Sequence, residues 1–223
     1  MNELISGFKQ VVPSIPYIVS GIWVSLGIAA GAAILGFIGG ILLSLCKIGR
    51  IKLLRGLANM YTSVFRGTPL ILQLAIAYFG IPQIFNMGDV NPLTCAILTF
   101  GLNSAAYMSE IIRGGINAVD KGQLEAAKAL GVSYWPTMKD IILPQAIKNI
   151  LPAIMNEFIT LTKDTALVST ITVTELMRRS QIVAANIYNY FPPMLISLVM
   201  YYIIVMILTY LGRRLERRMR RSD

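Results

Sequence analysis

An all-α integral membrane protein with five spanning helices is the fold class the sequence predicts, and three observations predict it. Hydrophobic residues make up 55% of the 223 residues and charged residues only 14%, with a mean hydropathy of +0.64. A soluble domain carries about a quarter charged residues. Long uncharged runs recur along the chain, and the positive charges collect in alternate connections between them. The 20 Lys and Arg exceed the 11 Asp and Glu by nine. In so apolar a chain, that excess reads as membrane-facing loops rather than a nucleic-acid surface. Several chemistries drop out at once. Histidine is absent, which removes the commonest metal ligand and general base. Cys46 and Cys95 stand alone without CxxC spacing, against a disulfide scaffold, a zinc site or a redox motif. No GxxxxGK[ST] loop occurs, so no ATP is bound through a P-loop of this chain.

The first span is placed at about residues 15–46, because Gln10 to Cys46 is free of charge and a crossing needs only about 20 residues. Its Gly27-x-x-x-Gly31 and Gly36-x-x-x-Gly40 pairs form small faces suited to close helix packing. The second span, about 57–80, is interrupted only by Arg66. The third, about 92–112, lies mostly in the charge-free run from Val90 to Ser109. The fourth, about 149–172, carries Glu157, Lys163 and Asp164. The fifth, about 193–211, follows Pro192-Pro193, with Tyr188, Tyr190 and Phe191 as an interfacial aromatic belt. Met1-Asn2-Glu3-Leu4 lacks a basic stretch and the first apolar run is too long, so no cleaved signal peptide is expected. The whole chain, 1–223, reads as one transmembrane domain.

Charge placement sets the orientation. Lys47, Arg50, Lys52 and Arg55 fall in the first connection, and Arg113, Lys121, Lys128, Lys139 and Lys148 in the third. The tail adds Arg213, Arg214, Arg217, Arg218, Arg220 and Arg221. The opposite side holds Lys9, Arg178 and Arg179. The N-terminus is therefore expected outside and the C-terminus inside, with the basic tail anchored to anionic lipid headgroups.

The third connection, about 113–148, is the most informative segment. Glu125-Ala126-Ala127-Lys128-Ala129-Leu130 is a strong helix former, and Gly131 suits the left-handed cap that would end it. A second short helix is expected from Tyr134, cut near Pro144. By residue chemistry alone this is either an amphipathic connector on the membrane surface or a docking element.

Two further places invite a functional reading. Arg66-Gly67-Thr68-Pro69 breaks a helix inside the membrane. Such a break is tolerated where it lines a cavity or is buried in protein, and the half-helix after it directs a positive end inward. In the fourth span, Glu157 and Asp164 are seven residues apart and so share a face, near Asn156 and Thr160. Ionisable groups at that depth cost about 2.5–3.5 kcal/mol each on insertion scales and mark a pathway or a buried pair. A structural ion pair of Lys163 with either carboxylate is the plainer alternative. Glu157, Asp164, Lys163, Thr68 and Asn103 form the candidate substrate-binding set.

The spacing Glu125-Ala126-Ala127, three residues, Gly131, nine residues, Ile141, one residue, Leu143-Pro144 resembles the EAA motif of permease subunits in ATP-binding-cassette (ABC) importers, matching at every position. Arg66-Gly67-Thr68-Pro69-Leu70, Ala106-Tyr107-Met108-Ser109-Glu110 with Arg113-Gly114-Gly115, and Lys163-Asp164-Thr165-Ala166-Leu167 are similar to segments of the polar-amino-acid branch. Ala166 departs from its more usual Ser. The resemblance runs from about Trp23 to Leu211 and implies the type I ABC importer permease fold. It implies that the Glu125, Ala126, Ala127 and Gly131 segment docks a separate cytoplasmic ABC ATPase dimer, which binds and hydrolyses the ATP. This chain is then neither an enzyme nor the carrier of a cofactor. A second permease copy or paralogue, an extracytoplasmic amino-acid-binding protein and a prokaryotic cell membrane follow from the same resemblance. It also suggests Lys163-Asp164 as a gate or latch. An ion-coupled secondary carrier or a small membrane channel are the alternatives. The first usually shows repeated halves, which are not seen here, and neither needs an ATPase-docking loop.

Overall fold

The computed structural model describes residues 2–220, so Met1 and Arg221 lie outside the described residues. The described chain is helical throughout, without a β-strand. Three helices follow one another at the start: α1 (Asn2–Val11), α2 (Ile15–Ser20) and α3 (Ile22–Ile48). Together they make a longer helical run, Ser6–Ile48, than the expected span from residue 15. The reason is local. Pro13 and Pro16 fall at the starts of their helical segments, where a missing N–H breaks no bond. Lys47 also departs from expectation. It sits in the last turn of α3 and is buried, rather than lying in the connection.

α3 packs along α7 (Pro92–Asn117), and glycine sets how closely. A Cβ on Gly36 would stand 2.6 Å from Cβ of Ser104, and one on Gly40 would stand 2.5 Å from Cβ of Met108. Gly31 faces Ile97 more loosely, and Gly27 faces nothing within 4 Å. The expected small faces therefore work as packing surfaces chiefly at positions 36 and 40. Ile28, Ala32, Leu74, Phe100, Leu161 and Val168 form part of the central apolar cluster.

The second span is bent. α4 (Lys52–Gly67) and α5 (Leu70–Ala75) meet at 103° around Thr68-Pro69. A π-helical turn at Ile76–Gly80 leads into α6 (Ile81–Phe85), which ends at Asn86 with a left-handed φ of 47°. Asn91 caps α7 by accepting the Thr94 N–H at 3.0 Å. Beyond α7 come α8 (Lys121–Ala129), the single turn α9 (Tyr134–Pro136) and a π-helical stretch at Thr137–Ile142. That stretch continues into α10 (Leu143–Asp164), so the expected cut near Pro144 does not occur. Pro144 comes directly after the π-helical stretch, whose irregular turn takes up the missing N–H, so the helix runs on.

After α10 a 3-10 segment, Thr165–Ile171, ends at Thr172 with φ of 67°. α11 (Leu176–Asn186) follows, then α12 (Phe191–Arg220). α12 starts at the Pro192-Pro193 pair as expected but runs nine residues past the expected end at 211, because Gly212 alone does not stop a helix. Among the described residues, three helices are long and apolar enough to cross a membrane: Ser6–Ile48, Pro92–Asn117 and Phe191–Met219. The bent α4–α5 pair makes a fourth if it is one span. α10, with its four charges (Lys148, Glu157, Lys163 and Asp164), does not meet that standard on composition.

Candidate functional site

The site is organised by two consecutive residues of α7. Ser104 is fully buried and donates its hydroxyl to Oε1 of Glu157 on α10 at 2.9 Å. Gly36 lies directly behind Ser104, so α3 backs this contact. Asn103 turns to the helix break instead. Its Nδ2 donates to the Phe65 carbonyl at 3.1 Å and to Oε1 of Gln73 at 2.9 Å. Gln73 in turn places Nε2 2.9 Å from the Phe65 carbonyl and 2.8 Å from Oγ1 of Thr68. Thr68 donates that hydroxyl to the Val64 carbonyl at 2.8 Å.

The break therefore has a plain physical account. Pro69 lacks an N–H, and the bend strips the last carbonyls of α4 of their helical donors. Side-chain amides from α5 and α7 take their place. Thr68 and Asn103 serve this internal network in the described structure, and Gln73, which the sequence reading passed over, sits at its centre. The Asx and Gln spacing alone carries no signal of it, because Asn103 and Gln73 meet only through the bend.

On α10, Glu157 and Asp164 are both half-buried, whereas Lys163, Asn156 and Thr160 are exposed. Lys163 makes no ion pair with either carboxylate among the described residues. Seven residues separate the two acids, so they stand about 10 Å apart along the helix. One ammonium cannot reach both. The face offers two anionic positions, with Glu157 held by Ser104 and Asp164 at the helix end.

The candidate coupling segment forms the helix its sequence predicts. Asp120 starts α8 by accepting the Gly122 N–H at 2.7 Å. Gly131 ends it at φ 77°. The Gly131 N–H bonds the Lys128 carbonyl at 3.0 Å and the Val132 N–H bonds the Ala127 carbonyl at 2.9 Å, the paired bonds of a left-handed helix end. Ala127 is buried, while Glu125, Ala126 and Gly131 face outward. Leu130 and Trp135 beside them are 83% and 76% exposed, an apolar surface without cover in this chain.

A family model described as binding-protein-dependent transport system inner membrane component matches residues 36–221. The chain belongs to that family. It is accordingly a multi-pass inner-membrane protein and a permease component, not the enzyme of its transport system. It is 51% identical over 97% of its length to the arginine transport system permease protein ArtQ of Bacillus subtilis (strain 168), covering 98% of that protein. It is 48% identical over 93% of its length to a putative glutamine transport system permease protein, GlnP, of Rickettsia typhi, covering 94% of it. A chain of a solved structure described as an amino acid ABC transporter with histidines superposes with a TM-score of 0.91 at 38% identity, covering 95% of this chain and 98% of that one. The fold is thus that of an ABC importer permease. A chain of the MetNI methionine ABC transporter, inward facing, shares the fold at a TM-score of 0.77 and 22% identity.

Two buried polar clusters went unread in the sequence. Glu175, fully buried, accepts from the Met177 and Arg178 N–H groups at 2.8 Å each, from Tyr201 Oη at 2.6 Å and from Ser25 Oγ at 3.3 Å. It thereby caps α11 and ties it to α3 and α12. Glu is an uncommon N-cap, so no sequence rule marks it. The second cluster surrounds Lys47, which its position in a run of basic residues disguises as one more loop charge.

Proposed function

We propose that the protein is the membrane-spanning subunit of an ABC importer for a polar amino acid, with the ligand's cationic groups received by Glu157 and Asp164. The arrangement that carries this reading is the pair of half-buried carboxylates two turns apart on α10, neither of them in a salt bridge with Lys163. Their spacing suits a ligand bearing an ammonium at one end and a second cation or amide donor at the other. Relatives named for arginine and glutamine transport support the same class. Asn103 and Thr68 hold the broken span on a neighbouring face of α7.

In this reading the chain spans the membrane five times, N-terminus outside and C-terminus inside, in the prokaryotic cell membrane. Two permeases, identical or paralogous, pair in the membrane, and an extracytoplasmic binding protein delivers the ligand. The α8 surface around Glu125, Ala126, Ala127 and Gly131 docks one subunit of a cytoplasmic ATPase dimer, with Leu130 and Trp135 supplying apolar contact. ATP is bound and hydrolysed there, and this chain holds no cofactor. The test is competition for uptake in vesicles containing the whole transporter. Arginine, lysine, glutamine and leucine would be compared as competitors. Arginine or glutamine should compete and leucine should not, and equal competition by leucine would refute the assignment. A carrier driven by an ion gradient would show uptake without ATP.

A further inference from the structure

We infer that Lys47 is a positioning residue for transport, linking the coupling loop to the broken second span; this rests on the coupling reading above. Its side chain is 3% exposed, and the ammonium's three donors are all used. They go to Oγ1 of Thr62 on α4 at 3.0 Å, to Oγ of Ser109 on α7 at 3.1 Å, and to Oε1 of Glu110 on α7 at 2.5 Å. Both hydroxyls are fixed in turn, because Thr62 donates to the Ala58 carbonyl and Ser109 to the Ala106 carbonyl. The other oxygen of Glu110 accepts Arg113 Nε at 3.1 Å and Nη2 at 2.6 Å. Arg113 lies near the end of α7, seven residues before Asp120, which caps α8.

One unbroken polar chain therefore runs from Arg113 through Glu110 and Lys47 to Thr62. Thr62 is five residues before Gly67, where α4 bends into α5. Ala58 and Thr62 are the buried residues of α4, so the helix meets the body of the protein over a narrow line that includes this contact. A displacement of the coupling loop that shifts α7 must move Lys47 with it, or break a charged bond at a buried ammonium. Through Thr62 the same displacement is passed to the half-helix whose far end is held by Gln73 and Asn103. An ordinary buried ion pair would need no hydroxyl on a second helix. Here that hydroxyl is on the element that bends.

The experiment measures ATP hydrolysis and uptake in the same proteoliposomes, containing permease, ATPase and binding protein. Thr62→Val keeps the shape of the side chain and leaves the Lys47–Glu110 pair intact. It should lower uptake per ATP hydrolysed by about tenfold, the loss of one charged hydrogen bond, with assembly and hydrolysis preserved. Lys47→Met should uncouple at least as strongly, and Lys47→Arg should recover much of the ratio. Unchanged uptake per ATP in Thr62→Val overturns the proposal. So does a parallel fall of assembly, hydrolysis and uptake, which marks a merely structural role. Gly131→Asp separates the two levels of the argument. If that variant assembles with the ATPase and transports normally, the coupling reading fails, whereas uncoupling there with normal Thr62→Val removes Lys47 alone.

Discussion

Gly36→Ala should damage the transporter at its centre although it adds a single carbon. The new Cβ would lie 2.6 Å from both Cβ and Oγ of Ser104 and 3.2 Å from its carbonyl carbon. Carbon atoms pack at about 3.5–4.0 Å, so α3 and α7 must part by about 1 Å. Overpacking of this kind costs about 1–3 kcal/mol. Ser104 is fixed by its 2.9 Å bond to Glu157, so the same displacement weakens that contact. A hydrogen bond to a charged group contributes about 1.5–3 kcal/mol, or about tenfold or more in affinity. Two readouts should move together: the unfolding temperature in detergent falls, and the half-saturation concentration for uptake rises by about tenfold. Gly27→Ala is the matched control. Nothing lies within 4 Å of its Cβ, and exchange of a helical glycine for alanine gains about 0.8–1 kcal/mol. That variant should be as stable as the parent or more so. Equal harm from the two substitutions, or none from Gly36→Ala, would refute the close-packing argument.

Other outcomes follow from the same geometry. Glu157→Gln should raise the half-saturation for uptake by about ten- to a hundredfold at matched membrane levels, while ATP hydrolysis continues; unchanged kinetics would remove Glu157 from the ligand site. Gly131→Asp places a side chain at φ 77° and on the outward face of the coupling segment, so uptake should be lost with insertion intact, as read by co-purification of the ATPase. Glu175→Ala leaves the Met177 and Arg178 N–H groups without their acceptor and the Ser25 and Tyr201 hydroxyls with only long contacts, at about 1–3 kcal/mol for each unsatisfied buried group; a lower unfolding temperature should result, and Glu175→Gln should be milder. Single cysteines at Asp89 and Lys128, in a chain lacking Cys46 and Cys95, test orientation. Only position 89 should react with an impermeant thiol reagent in intact cells.

Much of this architecture was legible because the membrane imposes simple rules. Uncharged runs marked the three long apolar helices, Gly131 marked the end of α8, and Gly67-Thr68-Pro69 marked the bend to within a residue. The misjudged positions share a cause. Lys47 was assigned to a loop because basic residues near a span usually lie in water, yet three acceptors on α4 and α7 make its burial possible. Pro144 was read as a stop because proline lacks a donor, yet the π-helical stretch just before it lets the helix run on. The helix bounds at Ser6 and Arg220 overran their apolar cores, since hydropathy reports where lipid is met and not where the helix ends. At the candidate site, Glu157 and Asp164 could be found from their spacing. Ser104 and Gln73 could not, because their roles exist only once α7 stands between the bend and α10.

The adjacency of Asn103 and Ser104 has one more consequence. Consecutive residues of a helix project about 100° apart around its axis, and these two hold opposite neighbours: one the bent second span, the other the carboxylate on α10. A helix of this kind acts as a shared axle. Any turn of α7 that slackens one hydrogen bond must swing the other, so the kink and the acidic face cannot be adjusted independently. If the acidic face receives the ligand as proposed, a permease built this way reads the occupant of that face and the angle of its bend as a single variable.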